Sequence, residues 1–156
     1  MPGAVFFNDE TPTGKEERGA WHANAMKATA DADLAFFDPD NGLSVASFPK
    51  GRKSSDKYVF DDELADHYAA GRSLLVYQHY SRRPRAELIN DCVLRLNSLA
   101  KDAAIWSFPT AHAVFLLVAH SLNWTTAQSA LTSEAWPTGL LMACCRFRGH
   151  REKVFH

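Results

Sequence analysis

The stretch LAFFDPDNGL, residues 34–43, decides the fold that the rest of the sequence implies. Residues 34–37 form a short apolar run of the kind that builds a buried strand, and a proline and a glycine end it. Asp38, Asp40 and Asn41 follow this strand directly. Such a pattern is typical either of a polar turn, in which Asp38 caps the chain and nothing is bound, or of a functional site at the end of a strand.

A second apolar run, residues 73–78, follows further along the chain. Between the two runs, Leu64, His67 and Tyr68 have helical spacing, which predicts a helix at about residues 61–70. Neighbouring parallel strands need a crossover connection of a dozen or more residues, and this helix can provide one. The sequence therefore predicts that the strands at 34–37 and 74–78 are parallel neighbours.

The remaining pattern predicts a single α/β domain over residues 1–156. Residues 8–19 and 44–57 are polar and turn-rich and are expected to be loops. The other predicted helices and strands alternate along the chain, and the strands are apolar throughout. This alternation favours a mainly parallel sheet with helices on both faces. Helices are expected at 21–32, from near Pro84 through Leu99 and at 125–134, and strands at 104–108 and 113–119. Residues 140–146 are expected to form a last strand or a short helix.

Composition excludes several classes of protein. An apolar fraction of 46% is too high for a disordered chain, and a net charge of −1 gives no overall field that attracts nucleic acid. Three cysteines without a C-x-x-C pair indicate neither a zinc ribbon nor a disulfide framework, and they favour a reducing, cytoplasmic setting. Neither a signal peptide nor a membrane span is predicted, because the longest apolar run, residues 113–119, is too short.

The candidate catalytic residues lie just beyond the two central strands. In parallel sheets, ligands bind outside the carboxyl ends of the strands. We therefore expect Asp38, Asp40, Asn41 and His79 to converge in one crevice. The two carboxylates could bind a divalent metal, although no metal is specified, or one of them could act as a base. Histidine moves protons near neutral pH, and nearby carboxylates favour its charged form.

The candidate substrate-binding residues are basic and aromatic. Arg82, Arg83 and Arg85 form the densest basic cluster of the chain, and guanidinium groups hold phosphate through paired hydrogen bonds. Basic charge at a helix N-terminus opposes the helix dipole, which argues against a purely structural role. Lys57 and Tyr58 could contribute from the loop between the strands. The alternative is a solvated loop and an exposed helix start.

The sequence runs from a strand ending in DPDNG through a polar loop, KYV and an acidic helix to G-x-SLLVYQH-x-x-R. In this order it resembles a group of uncharacterised bacterial and phage proteins. Over about residues 20–120 it also resembles the later half of Rossmann-like methyltransferases, which implies an incomplete Rossmann-like fold. In amino-methyltransferases this half carries an Asp/Asn-Pro-Pro-aromatic motif that grips the amino group to be methylated. Residues 38–41 occupy the matching place, with Asp40 for the second proline and Asn41 for the aromatic residue.

The glycine-rich turn that holds S-adenosylmethionine in those enzymes has no counterpart here. Gly3, Gly14 and Gly19 are isolated and follow no complete strand-turn-helix unit. Binding of S-adenosylmethionine by this chain alone is therefore not expected. The resemblance then implies either the C-terminal part of a longer protein or a relic without the cofactor.

Three functions remain open from the sequence. The first is an enzyme acting on nucleic acid or a nucleotide through the DPDN, His and Arg residues. A nuclease of the Pro-Asp…(Asp/Glu)-x-Lys type is disfavoured, because Asp56 directly precedes Lys57 and the spacing is wrong. The second is the methyltransferase-like fragment or relic. The third is a non-catalytic phage or bacterial module that binds a protein partner.

Overall fold

The computed structural model describes residues 4–120 and 142–146 and shows a mixed α/β fold. The helices of the described part are α1 (Lys15–Ala28), α2 (Asp61–Ala69) and α3 (Arg85–Leu99), with a 3₁₀ turn at Ser55–Lys57. The strands are β1 (Ala4–Phe7), β2 (Leu34–Asp38), β3 (Gly42–Leu43), β4 (Tyr58–Val59), β5 (Ser73–His79), β6 (Ala104–Pro109), β7 (Ala113–Ala119) and β8 (Met142–Arg146). No helix within these residues is long and apolar enough to cross a membrane.

The described strands form a six-stranded sheet in the order β1-β8-β2-β5-β7-β6, with β3 and β4 as a separate pair. The predicted parallel pairing of β2 with β5 is confirmed, and its register places Leu34 opposite Ser73 and Phe37 opposite Val76. β8 joins the sheet between β1 and β2 and is parallel to both.

The prediction of a mainly parallel sheet is wrong, because the sheet is mixed. β7 runs antiparallel to both of its neighbours, β5 and β6. The physical reason is the connection between β6 and β7, which is only residues 110–112. A parallel crossover needs a dozen or more residues, and a link this short can therefore only reverse the chain. The hydroxyl of Thr110 closes this turn by accepting a hydrogen bond from the amide of Ala113 at 3.1 Å.

The helices of the described part all cover the same face of the sheet. Phe37, Val76 and Leu116 lie side by side on adjacent strands, and each is at most 2% exposed. Buried side chains of all three helices join their cluster: Trp21, Ala25, Leu64, Leu88, Cys92 and Leu96. The expected second layer of helices is not seen among residues 4–120, and the helix predicted at 125–134 lies outside the described residues.

α1 begins earlier than the sequence predicted, at Lys15 rather than near Trp21. Glu16 and Glu17 occupy its first turn, where negative charge interacts favourably with the helix dipole. The predicted loop at residues 8–19 is therefore wrong over its second half. The polar composition of that half reflects the exposed side of a helix start rather than a loop.

A buried ion pair joins α1 to α2. Arg18 and Glu63 are each 1% exposed, and the guanidinium meets the carboxylate through two hydrogen bonds of 2.7 and 2.9 Å. The same guanidinium donates to the carbonyl oxygens of Ser55 and Tyr58 at 3.1 and 2.8 Å. Buried charges are tolerated where they are paired and hydrogen-bonded in this way. Arg18 thereby fixes the end of the 44–57 loop against the helices.

His67 is a fully buried histidine on α2, and its ring lies edge-on to Phe37 with centroids 5.1 Å apart. Its Nδ1 atom is 3.4 Å from a guanidinium nitrogen of Arg72. Burial, together with the charges of Arg72 and His22, lowers the pKa of His67 from 6.5 to about 3. The folded protein therefore holds this ring in its neutral form.

We predict that His67 makes the fold acid-sensitive. Because its pKa is lower in the folded state than in the unfolded state, its contribution to stability is complete above about pH 6.5 and is lost as the pH falls towards 3. From this group alone, the free energy of unfolding should fall by about 1.4 kcal/mol per pH unit in that window. In His67→Phe, the free energy of unfolding should depend less on pH between about pH 6.5 and 5, a window above the range where carboxylates titrate. Urea denaturation measures this free energy at each pH.

The matched control is His112→Gln, because His112 is exposed. That variant should retain the acid dependence of the parent protein. An unchanged slope in His67→Phe would show that the buried ring does not cause the acid sensitivity.

Candidate functional site

The turn after β2 folds back towards the sheet and is held by its backbone. The amide of Asn41 donates to the carbonyl of Lys57 at 3.0 Å, and Gly42 and Leu43 then pair in parallel with Tyr58 and Val59. The DPDN stretch therefore leads from β2 into a second, two-stranded ladder. One role of this stretch is structural, as the polar-turn alternative predicted.

Gln78 ties this turn to β5. Its side-chain amide donates to the carbonyl oxygens of Asn41 and His79 at 3.0 and 2.9 Å, and its Oε1 atom accepts from the amide of Leu43 at 2.9 Å. The residue is 7% exposed. Gln78 is not among the residues that the sequence pattern predicted for the site. The signal was its place in β5, where it shares the buried face of Leu74 and Val76 although it is polar.

Gly42 is required by the close approach of Gln78. A Cβ atom at this position would lie 2.4 Å from Oε1 of Gln78, which is far inside contact distance. The backbone also has φ of +99°, a conformation that side chains other than glycine rarely adopt. The Asn-Gly ending of the opening stretch is thus explained by packing against the β5 side chain.

A cleft of about 600 Å³ opens between this turn and the end of β5, and we call it the strand-end cleft. Residues of three separate segments line it, together with Leu88 from α3. Its apolar lining is Leu43, Val45 and Leu88, its aromatic lining is Tyr58 and Tyr80, and its polar lining is Asn41, Gln78, His79, Ser81, Arg82 and Arg83.

The structure thus brings together Asn41, Tyr58, His79, Arg82 and Arg83 from the residues that the sequence predicted. These residues come from the β2–β3 turn, from β4 and from the segment that ends β5. The strand-end location that the sequence predicted for a site is therefore where the cleft lies.

Asp38, Asp40, Lys57 and Arg85 are not part of the cleft lining. Lys57 is half-exposed, with its Nζ atom 3.9 Å from Oδ2 of Asp40. The guanidinium of Arg85 lies 4.7 Å from the centre of the Tyr80 ring and donates to the carbonyl of Ala111 at 2.9 Å. Arg85 thus packs on the aromatic wall without lining the cleft.

Asp38 and Asp40 affect Tyr77, which is a neighbour of the cleft residue His79. Asp38 lies two residues after Phe36 and so belongs to the face of the sheet opposite Phe37 and the helices. Burial, and then the negative charges of Asp38 and Asp40, raise the pKa of Tyr77. The hydroxyl of Tyr77 is 3.2 Å from Nδ1 of His79. The phenol of Tyr77 therefore contacts the predicted histidine and is affected by the charges of the two predicted carboxylates.

The two cleft arginines differ in their pairing. Arg83 meets Asp91 of α3 at 2.6 Å, and both side chains are about half-exposed. Arg82 is exposed and makes no ion pair or side-chain hydrogen bond within the described residues. Arg82 is therefore the guanidinium of the cleft that is available to an incoming anion.

The predicted metal site finds no support in residues 4–120. Within the described part of the chain, no group of three or more histidine, cysteine, aspartate or glutamate side chains is placed to hold a metal ion. Asp38 and Asp40 therefore lack a third protein ligand of these types there. A divalent metal stays a prediction from the sequence.

Comparison with known proteins does not identify the chain. No family model matches the sequence. No curated protein matches it either, and no solved structure matches the fold. The resemblance to Rossmann-like methyltransferases therefore stays a prediction, and the functional argument depends on the geometry of the cleft.

We predict that Gly42→Ala destabilises the protein, because the new Cβ atom meets Gln78 and the backbone is held at positive φ. The loss in the free energy of unfolding should be at least about 1–2 kcal/mol, as measured by urea denaturation. The matched control is Gly19→Ala in α1, where a Cβ atom has no neighbour within 4 Å. That change should stabilise the protein by roughly 0.5–1 kcal/mol. Equal stability of Gly42→Ala and the parent protein would refute the Gln78 constraint.

Proposed function

We propose that this chain is an enzyme-like α/β domain that acts on a nucleic acid or a nucleotide in the strand-end cleft. The observation that carries the proposal is the composition of the cleft: an apolar and aromatic lining beside two arginines and a histidine. A nucleotide has the same division, because its base is flat and apolar on its faces and its phosphate is anionic. The cleft volume is also within the usual range for a small-molecule site.

The basic rim is suited to a phosphate group. A guanidinium offers paired donors to phosphate oxygens, and such charge-assisted hydrogen bonds are stronger than neutral ones. Arg82 has no competing carboxylate among the described residues, whereas Arg83 shares its charge with Asp91. Because the net charge of the chain is only −1, attraction of a phosphate must come from this local group.

The aromatic lining is suited to a base. Tyr58 is stacked on Phe48, with ring centroids 5.4 Å apart, and Tyr80 has the Arg85 guanidinium over its ring. Both rings are thus held in place before a ligand arrives. Stacking of a base on an aromatic side chain contributes about 1–3 kcal/mol. A cleft of this size takes an unpaired nucleotide more readily than a duplex.

His79 supplies the chemistry that we propose. It lies at the cleft, and its Nδ1 atom is 3.2 Å from the Tyr77 hydroxyl. In this role His79 moves a proton to or from the bound substrate, and phosphodiester hydrolysis is one reaction of this class. Asn41, whose backbone is fixed by Gln78, would orient the substrate with its amide.

A second candidate, the methyltransferase-like fragment, is favoured by the place of Asp38. Asp38 ends β2, which lies inside the sheet between two parallel neighbours, and this is the place from which the resembling motif grips an amino group. Calorimetry with S-adenosylmethionine tests this candidate. Binding by a longer protein that carries the glycine-rich turn, and not by this chain alone, would favour it over the first proposal.

Arg82→Ala should weaken nucleotide binding by about tenfold or more, because a hydrogen bond to a charged group contributes roughly 1.5–3 kcal/mol. Fluorescence anisotropy with a labelled short single strand measures the affinity, and a nucleoside monophosphate serves as competitor. The slope of log affinity against log salt concentration should also decrease by about 1, because one phosphate contact is lost.

The matched control is Lys101→Ala, which removes an exposed cation outside the cleft. Its affinity should equal that of the parent protein. His79→Gln should retain binding and lose turnover if a reaction is found. Absence of binding by the parent protein, or equal affinity of Arg82→Ala, would refute the proposal, and absence of small-molecule binding would favour the protein-binding module.

A further inference from the structure

We propose that Arg95 of α3 is a positioning residue, which holds the start of the 44–57 loop so that Leu43 and Val45 form the apolar wall that a nucleotide base meets. The inference rests on the proposed function for its ligand, whereas the hold on the loop belongs to the ligand-free protein. It assigns part of the selectivity of the strand-end cleft to a side chain that is not in its lining.

The guanidinium of Arg95 joins α3 to two other segments. Nη1 donates to the carbonyl oxygen of Ser44 at 2.5 Å, and Nη2 donates to the Ser44 hydroxyl at 2.7 Å. Nε and Nη2 also lie 2.7 and 2.6 Å from Oδ1 of Asp61, the first residue of α2. A planar fork of donors can make such contacts together, which a single ammonium group matches poorly.

Ser44 has a partner for each of its polar groups. Its amide donates to the carbonyl oxygen of Val59 in β4 at 2.8 Å. Its carbonyl and its hydroxyl both accept from Arg95. The backbone at the start of the loop is therefore fixed from the β4 side and from α3.

The two neighbours of Ser44 along the chain, Leu43 and Val45, both line the cleft. Leu43 is 4% exposed, and its amide is already held by Gln78 at 2.9 Å. Val45 is 47% exposed, so packing contributes little to its position. The place of Val45 in the apolar wall thus depends on the backbone that Arg95 holds.

The apolar wall and the basic rim would act on different parts of a nucleotide. Leu43 and Val45 offer apolar surface to the base, whereas Arg82 and Arg83 belong to the segment after β5. Arg83 is paired with Asp91 and not with the loop. Loss of the Arg95 side chain should therefore weaken the contacts of the base and leave those of the phosphate.

NMR titrations with adenosine monophosphate and with ribose 5-phosphate test the proposal, because the two ligands share a phosphate and differ in the base. Arg95→Ala should weaken binding of adenosine monophosphate by about fivefold, which is less than full burial of one valine side chain contributes. Its affinity for ribose 5-phosphate should stay within about twofold of the parent value, since the basic rim is retained.

Two further variants separate position from charge. Arg95→Lys retains the positive charge but lacks the planar fork, so it should show the same difference between the two ligands as Arg95→Ala. Arg82→Ala is the matched loss of a guanidinium in the rim, and it should weaken binding of both ligands by the same factor.

The ligand-free protein provides a second readout. Nitrogen relaxation should show the backbone of Val45 as rigid as that of Leu43 in the parent protein. In Arg95→Ala the Val45 backbone should become more mobile, while Leu43 stays held by Gln78.

Equal weakening of both ligands in Arg95→Ala, unchanged affinity for adenosine monophosphate, or full recovery of that affinity in Arg95→Lys would overturn the inference. An unchanged Val45 backbone in Arg95→Ala would overturn it as well. If the parent protein binds no nucleotide, the proposed function fails, and a mobile Val45 in Arg95→Ala would still support the positioning role.

Discussion

The buried side chain of Gln78 is the constraint on which the strand-end cleft depends. Two of its hydrogen bonds join β5 to the turn after β2 and satisfy the backbone of Asn41 and Leu43, and a third goes to the carbonyl of His79 in β5 itself. A buried backbone group without a partner would cost about 1–3 kcal/mol. The turn therefore has one well-defined position, and Gly42 is the residue that lets it approach Gln78 so closely. The opening stretch ends in Asn-Gly because a β5 side chain occupies the space beside it.

The opposite wall depends on a second buried polar group. Arg18 is paired with Glu63 and also holds the carbonyl oxygens of Ser55 and Tyr58, so it fixes the end of the 44–57 loop. Gln78 fixes the start of the same segment at Leu43. The loop is thus fastened at both ends by buried side chains that lie on different elements. This arrangement places Tyr58 at the cleft without requiring the loop itself to be rigid.

The sequence predicts the local and periodic parts of this structure. The apolar runs and the intervening helix were sufficient for the parallel pair β2 and β5, because apolar periodicity and crossover length are local properties. The reversal at β7 could also have been inferred, since residues 110–112 are too few for a crossover. The contacts of Arg18 and Gln78 could not, because their partners are 35 to 45 residues away and no spacing encodes them. Side-chain alternation explains why Gln78, which faces the helices, is part of the cleft lining. Asp38 and Tyr77 face the other side of the sheet and are not part of it.

The central claim is that the strand-end cleft binds a nucleotide, and amide chemical-shift mapping during titration with a nucleoside monophosphate tests it most directly. The account predicts saturable shifts at Leu43, Tyr58 and residues 79–83, which surround the cleft. Small or no shifts are predicted for residues 101–103, which precede β6 at the end of the sheet opposite to His79. Saturable shifts confined to surfaces outside the cleft, or no shifts at all, would contradict the account.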